Sequence, residues 1–295
     1  MALAFFAIGL VAALWWRARH LRAVEALSTA HRKLGPDGIV VGGEGFVLVR
    51  EGAPAILLLH GAGDTPQTLR YVADALHGRG FHVVAPLLPG HGRSLSDFQR
   101  VTADALISAA RASYDELTSA HDWVAVVGLS MGGALAVQLA ASNARLPALG
   151  LIAPYLAMPL RIERAANLSS VWGPVFPVVR AGDGLSVLDP AERGRSLAYG
   201  VFTPGALRAL RDTVRRAVSQ LPAVAAPTLM IQSRQDNRIS VADAERAFGL
   251  IGAPDKHLEW ITGAAHVITV DFGRDVVIAQ LAAFLESHAP PRARV

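Results

Sequence analysis

Val124-Ala125-Val126-Val127-Gly128-Leu129-Ser130-Met131-Gly132-Gly133 is the stretch on which the fold of this chain turns. Its first residues are an uninterrupted apolar run of the length of one buried strand. Gly128-x-Ser130-x-Gly132 then makes a tight turn, and residues 134–141 read as a small-residue helix. A strand-to-helix turn this sharp strains the serine backbone and points its hydroxyl out of the sheet. Side chains at 128 and 132 would collide across the turn, and glycine tolerates the dihedrals it needs. A serine so placed, beside a helix N-terminus, sits where a nucleophile must sit. A glycine-rich turn with a capping serine is the plain alternative, and the sequence on either side weighs against it.

Outward from this stretch, strand and helix alternate. Residues 55–59 form a short apolar run between Pro54 and His60-Gly61, hence a buried strand. Asp64-Thr65-Pro66 opens a helix that runs to about Gly78, with proline in its first turn. A strand at 81–85, a loop through Pro86 to Gly92 and a helix at 102–120 precede the central stretch. Strands at 148–153, 227–232 and 257–261, with helices at 242–249 and 275–287, follow it. This rhythm predicts an α/β fold, a mostly parallel central sheet flanked by helices on both faces. Nearer the N-terminus, 39–41 and 46–49 flank Gly42-Gly43-Glu44-Gly45 and read as a hairpin. Between Tyr155 and Leu221 the rhythm breaks, with Pro159, Pro174, Pro177, Pro190 and Pro204 among short helical pieces. Residues 155–221 are therefore expected to be an inserted helical cap, the alternative being ordinary helices on the sheet's flank. The core is then 38–154 with 222–289, and residues 1–37 stand apart.

Residues 2–16 are apolar throughout, and Arg17, Arg19 and Arg22 follow at once. The run is shorter than the roughly 20 residues that comfortably span a bilayer. It lacks a positive n-region and a clear small-residue cleavage site. The reading is an uncleaved membrane anchor with Trp15 and Trp16 at the interface, continued by a helical tether over 17–37 that ends at Gly35-Pro36. The arginines would place the main body on the cytoplasmic side. An apolar helix docked on its own domain and a cleaved signal peptide fit the same residues. Elsewhere the composition excludes more than it suggests. There is no cysteine, so disulfides and thiolate metal sites are ruled out. The net charge of +4 is spread over scattered arginines without interleaved aromatics, which argues against nucleic acid as a partner. No histidine–carboxylate spacing suggests a metal, and the chemistry below needs no cofactor.

Serine at neutral pH needs a base, usually histidine, oriented by a carboxylate. Both must come from loops at the C-terminal edge of the parallel sheet, where Ser130 lies. Two loops qualify: Ser233-Arg234-Gln235-Asp236-Asn237-Arg238 and Thr262-Gly263-Ala264-Ala265-His266-Val267. Asp236 and His266 are the expected partners, Asp243 being set aside because it falls on a helix. The oxyanion hole should use the amide of Met131, next to the nucleophile, and that of Ala62 in the glycine-rich loop His60-Gly61-Ala62-Gly63. His60 is expected to shape that loop, His91 to be structural, and Asp64 to cap a helix rather than serve as a second acid.

Leu57-Leu58-Leu59-His60-Gly61, Pro89-Gly90-His91-Gly92-Arg93-Ser94, Gly128-Leu129-Ser130-Met131-Gly132-Gly133, Asp236 and Gly263-Ala264-Ala265-His266 together resemble the alpha/beta-hydrolase superfamily. The branch they are most similar to is that of bacterial carboxylesterases and monoacylglycerol lipases, over about residues 38–287. The chain order Ser, Asp, His is that of the superfamily. The resemblance implies a serine esterase acting on small-molecule or lipid-like esters, with residues 155–221 as a lid. It also implies a wider acyl pocket here, since the residue after His-Gly is often bulky in the family and is Ala62 in this chain. A thioesterase, amidase, acyltransferase or carbon–carbon bond hydrolase would use the same triad, and a catalytically silent binding protein the same fold.

Overall fold

The computed structural model describes residues 2–29, 32–180 and 185–291. The parts of the N-terminal segment, cap and C-terminal tail at residues 1, 30–31, 181–184 and 292–295 lie outside it. The chain opens with α1 (Ala2–Thr29), so the apolar run and the expected tether are one helix that stops short of Gly35. Next come β1 (Phe46–Leu48), β2 (Ala55–Leu59), α2 (Arg70–Gly78), β3 (His82–Ala85), α3 (Leu95–Arg100), α4 (Ala103–Ala120), β4 (Val124–Leu129), α5 (Met131–Ala141) and β5 (Leu149–Ile152). The chain then leaves the sheet through α6 (Leu160–Asn167), α7 (Ser169–Trp172), β6 (Val179–Arg180), α8 (Pro190–Arg195), β7 (Val201–Phe202) and α9 (Pro204–Gln220). It returns with β8 (Thr228–Ser233), α10 (Val241–Leu250), β9 (Lys256–Ile261) and α11 (Arg274–His288).

The sheet has the order β1-β3-β2-β4-β5-β8-β9, with all pairs parallel except β1 on β3. Successive side chains of a strand point to opposite faces. Leu57 and Leu59 of β2 therefore join the cluster under α4, α5 and α9, while Ile56 and Leu58 join the cluster under α2 and α11. All five β2 residues are fully buried because helices cover both faces. Each such leucine contributes about 1.5–3 kcal/mol by leaving water. Burial on two faces is why these runs read as continuously apolar rather than alternating.

The expected hairpin at 39–49 does not form. Val40 N–H donates to Gly92 O at 2.8 Å and Val41 N–H to Lys33 O at 2.8 Å, so the first arm's donors are used elsewhere. The second arm, β1, instead pairs with β3, Phe46 opposite Ala85. An isolated two-stranded hairpin is marginal in water, whereas an edge strand that completes a seven-stranded sheet is supported along its length. The short helix α3 lies in a stretch where no helix was expected. Its signal was present in Ser94, whose Oγ accepts from Asp97 N–H at 3.1 Å as an N-cap.

Within 155–221 the long helix α9 is amphipathic. Leu207, Leu210, Val214 and Ala217 recur at three- and four-residue spacing, are buried and, apart from Leu207, belong to the core cluster that includes α5. The second half of α1 also docks on the body. Trp16 meets Phe176 edge to face at 6.1 Å, Arg17 Nε–H donates to Gly173 O at 3.3 Å, and Leu21 and Val24 pack on the core. Its first half projects, with Ile8 66% and Trp15 60% exposed. Among the described residues, no helix is long and apolar enough to cross a membrane.

Candidate active site

Ser130 stands between β4 and α5 at φ 55° and ψ −117°, a strained conformation for a residue with a side chain. A Cβ at Gly128 would collide with the Gly132 carbonyl, and one at Gly132 with the Leu59 carbonyl. The turn is held by Ser130 N–H donating to Ile152 O at 3.0 Å, and by Gly133 and Tyr155 N–H donating to Ser130 O at 2.9 and 3.0 Å. Strain at the serine is thus carried by packed backbone on three sides, and the hydroxyl is left facing the sheet's C-terminal edge.

The two sequence-expected partners are brought to it. Ser130 Oγ–H donates to His266 Nε2 at 2.8 Å, and His266 Nδ1–H donates to Asp236 Oδ2 at 2.8 Å. The Asp236 side chain is wholly buried and that of His266 nearly so. Burial alone would push the Asp236 carboxyl up. The adjoining His266 and the Arg238 and Ile239 amides, which donate to Oδ1 at 2.7 and 3.0 Å, outweigh it and hold the group below its ordinary value. Gln232 Nε2–H adds a bond of 2.6 Å to Oδ2. Asp236 is therefore a fixed negative charge on the far side of the imidazole.

The loop after β2 approaches Ser130 closely: a Cβ added at Gly61 would lie 3.3 Å from Ser130 Cβ and 3.8 Å from its Oγ. Leu88 N–H donates to His60 Nε2 at 3.0 Å, which leaves the proton on Nδ1, donating to Gly61 O at 2.9 Å. Gly61 C=O and Ala62 N–H belong to one rigid peptide plane. By holding the carbonyl, His60 sets the direction of the Ala62 amide. Burial, reinforced by the neighbouring His91, pulls His60 down to about 3, so it stays neutral in this role. His91 is held by Nδ1–H donating to Pro89 O at 2.9 Å, and burial pulls it down to about 4. Both histidines shape loops, as expected. Among the described backbone bonds, neither Ala62 N–H nor Met131 N–H donates to a protein acceptor.

Asp64 does not cap a helix. The cap position is Thr65, and Asp64 Oδ1 instead accepts from Thr65 N–H at 2.8 Å. It lies on the wall of the same cavity, where burial pushes its carboxyl up to about 7. That cavity, of about 340 Å³, holds Ser130 and His266. Ile162, Val201, Phe202, Leu207 and Leu210 give it an apolar wall, and Arg161, Asn237 and Arg238 a polar one.

Two further groups position the relay and were not expected from sequence. Gln232 is a long polar side chain directly after the apolar run Leu229-Met230-Ile231, which was its signal. Asp271 is fully buried and accepts from the amides of Leu188, Asp189, Ala265 and Phe272 at 2.7–2.9 Å. It ties the residue preceding His266 to the segment before α8, and Val267 N–H donates to Ser186 O at 2.9 Å beside it. Its signal was a lone charge inside Val267-Ile268-Thr269-Val270-Asp271-Phe272.

The family model described as serine aminopeptidase, S33 (Hydrolase_4) matches residues 51–272. A thermostable monoacylglycerol lipase from Bacillus sp. (strain H-257) is 27% identical over 251 residues, which are 85% of this chain and 97% of that lipase. A carboxylesterase from Bacillus subtilis (strain 168) is 26% identical over 237 residues, 80% of this chain and 93% of that enzyme. Among solved structures, a chain from work on the metagenome-derived lipolytic enzymes LipS and LipT superposes with a TM-score of 0.77 at 27% identity, covering 87% of this chain and all (100%) of that one.

Proposed function

The chain belongs to the serine aminopeptidase S33 family within the alpha/beta-hydrolases, and from that premise we propose that it hydrolyses carboxylic esters with Ser130 as nucleophile. His266 is the general base and acid, Asp236 orients it, and the amides of Ala62 and Met131 form the oxyanion hole. The observation that carries the reading is the relay of two 2.8 Å hydrogen bonds from Ser130 to Asp236, opening on a cavity that Ala62 also lines. Ser130 Oγ attacks the ester carbonyl while His266 Nε2 takes its proton, and the carbonyl oxygen becomes the oxyanion. Collapse breaks the bond to the alkoxy oxygen, which leaves with the proton from His266. Water, deprotonated by His266, then releases the acid and restores Ser130.

The substrate class is an ester of a short or medium acyl chain, monoacylglycerols included. The apolar wall of the cavity supports this, as do the lipase and the carboxylesterase to which the chain is similar. Much of that wall comes from residues 155–221, which supports their reading as a lid that selects the chain. The test is a panel of p-nitrophenyl acetate, butyrate, octanoate and palmitate, with a matched thioester and p-nitroanilide. Turnover is expected for the esters, with an optimum below palmitate. Turnover of the thioester or anilide alone would remove the ester assignment.

The projecting half of α1 supports peripheral association with a membrane. Ile8, Leu10, Val11, Leu14 and Trp15 are exposed, and Arg17, Arg19 and Arg22 follow where anionic headgroups would lie. The full chain is expected to cosediment with vesicles containing anionic lipid, and a chain lacking residues 2–15 to stay in the supernatant. Equal sedimentation of the two would sink the anchor.

A further inference from the structure

The loop that carries Ala62 is gripped from outside by the N-terminal segment, which precedes the family match at residues 51–272. Tyr199 is the link. Its N–H donates to Gly63 O at 2.9 Å, and its hydroxyl accepts from Arg93 N–H at 2.9 Å. One face of its ring stacks on Phe98, with centroids 4.6 Å apart and 23° between planes. The Arg32 guanidinium lies over the ring at 4.7 Å, so the ring is held between the two. Arg32 is only 5% exposed, and its Nη1–H donates to Leu197 O at 3.2 Å. A desolvated cation on an aromatic face is the strong form of that contact.

From Phe98 the packing runs inward. His91 meets Phe98 edge to face at 5.1 Å, and His60 meets His91 likewise at 5.1 Å. His60 in turn holds Gly61 O. Phe98 rides on α3, whose first amide, Leu95 N–H, donates to Glu25 Oε1 of α1 at 2.9 Å. Glu25 thus holds the helix that carries one ring, and Arg32 presses on the other.

We propose that Arg32, assisted by Glu25, is a positioning residue of the oxyanion hole: it clamps the Phe98–Tyr199 stack, and through the bonds at Gly61 and Gly63 fixes the direction of the Ala62 N–H. The inference rests on the proposed role of Ala62. A donor aimed at developing charge helps only in the orientation it already has, so a looser loop weakens the transition state more than the bound substrate.

The test compares full-length Arg32→Met, Arg32→Lys and Glu25→Ala with wild type, active sites being counted with a fluorophosphonate. Arg32→Met is expected to lower kcat on p-nitrophenyl butyrate by about 10-fold, short of the about 10²-fold cost of a 1 Å misplacement, with KM changed by less than about twofold. The inhibition constant of phenylboronic acid, whose boron becomes tetrahedral on Ser130 Oγ, should rise by about the same factor as kcat falls. Arg32→Lys, which keeps a cation on the ring, should recover most of the loss. A merely stabilising Arg32 would lower the melting temperature and leave kcat per active site and the boronate constant alone, and that result overturns the proposal. If Arg32→Met does not fold, Glu25→Ala decides: a fall in kcat at constant KM supports the clamp, and wild-type kcat removes it. The rate of fluorophosphonate labelling reads the same hole without ester turnover. A wild type that labels but cleaves no ester therefore counts against the proposed activity, while a slower-labelling Arg32→Met still supports the clamp.

Discussion

Ser130→Ala is expected to lower ester turnover by about 10⁴- to 10⁶-fold, and His266→Ala by a similar factor. The two losses should not add. Ser130 Oγ and His266 Nε2 share one proton across 2.8 Å, so removing either ends the same step. What remains in both variants is whatever the cavity and the amides of Ala62 and Met131 supply by holding the ester near water. Parallel rates for the two single variants and the double variant, on p-nitrophenyl butyrate, check this. The serine variant should fold, because alanine relieves no backbone contact of the turn and the main-chain bonds at residue 130 persist. His266→Ala with full esterase activity would overturn the assignment of the base.

Asp236→Asn is expected to cost about 10⁴-fold in kcat with little change in structure. The reason lies in the donors around the carboxylate. Arg238 and Ile239 amides point at Oδ1, and Gln232 Nε2–H and His266 Nδ1–H point at Oδ2. An asparagine keeps its oxygen toward the two amides and turns its own NH₂ toward His266 and toward Gln232, whose side-chain amide flips to accept through Oε1. The imidazole then accepts at Nδ1 and carries its proton on Nε2, where it can no longer take the Ser130 proton. The variant should fold, label slowly with fluorophosphonate and bind product-like acids normally. Turnover within tenfold of wild type would mean that Asp236 does not set the tautomer. Because the folded-state pKa of Asp236 is depressed, its charge contributes stability above the ordinary carboxylate range. That contribution is lost as pH falls through the depressed value.

Most of the site was legible because each of its parts is local. Gly128, Ser130 and Gly132 specify a turn over five residues, and the collisions that demand glycine are with backbone a few positions away or in the neighbouring strand. Asp236 and His266 were found by counting strands, since residues ending parallel strands share one edge. The hairpin at 39–49 failed for the opposite reason. Its two arms are locally well suited to pair, but β1 finds a sheet edge on β3 and Val40 finds the Gly92 carbonyl, partners far along the chain. Asp64 went the same way: its position before Thr65-Pro66 suits a cap, and only packing shows that its carboxylate turns into the cavity wall.

By itself, the sequence determined the alternation of strand and helix, the strained serine turn and the order of the three expected catalytic residues. All of these follow from apolar periodicity and from backbone sterics within a few residues. Only the tertiary structure decided what surrounds them. Gln232 and Asp271 hold the relay, His60 sets the Ala62 peptide plane, and α1 divides into a docked half and a projecting half. The Gln232–Asp236 bond spans only four residues, but the others are completed from distant segments, by Leu88 on His60, Leu188 on Asp271 and Gly173 on Arg17, partners that three-dimensional packing chooses and that leave no period in the chain.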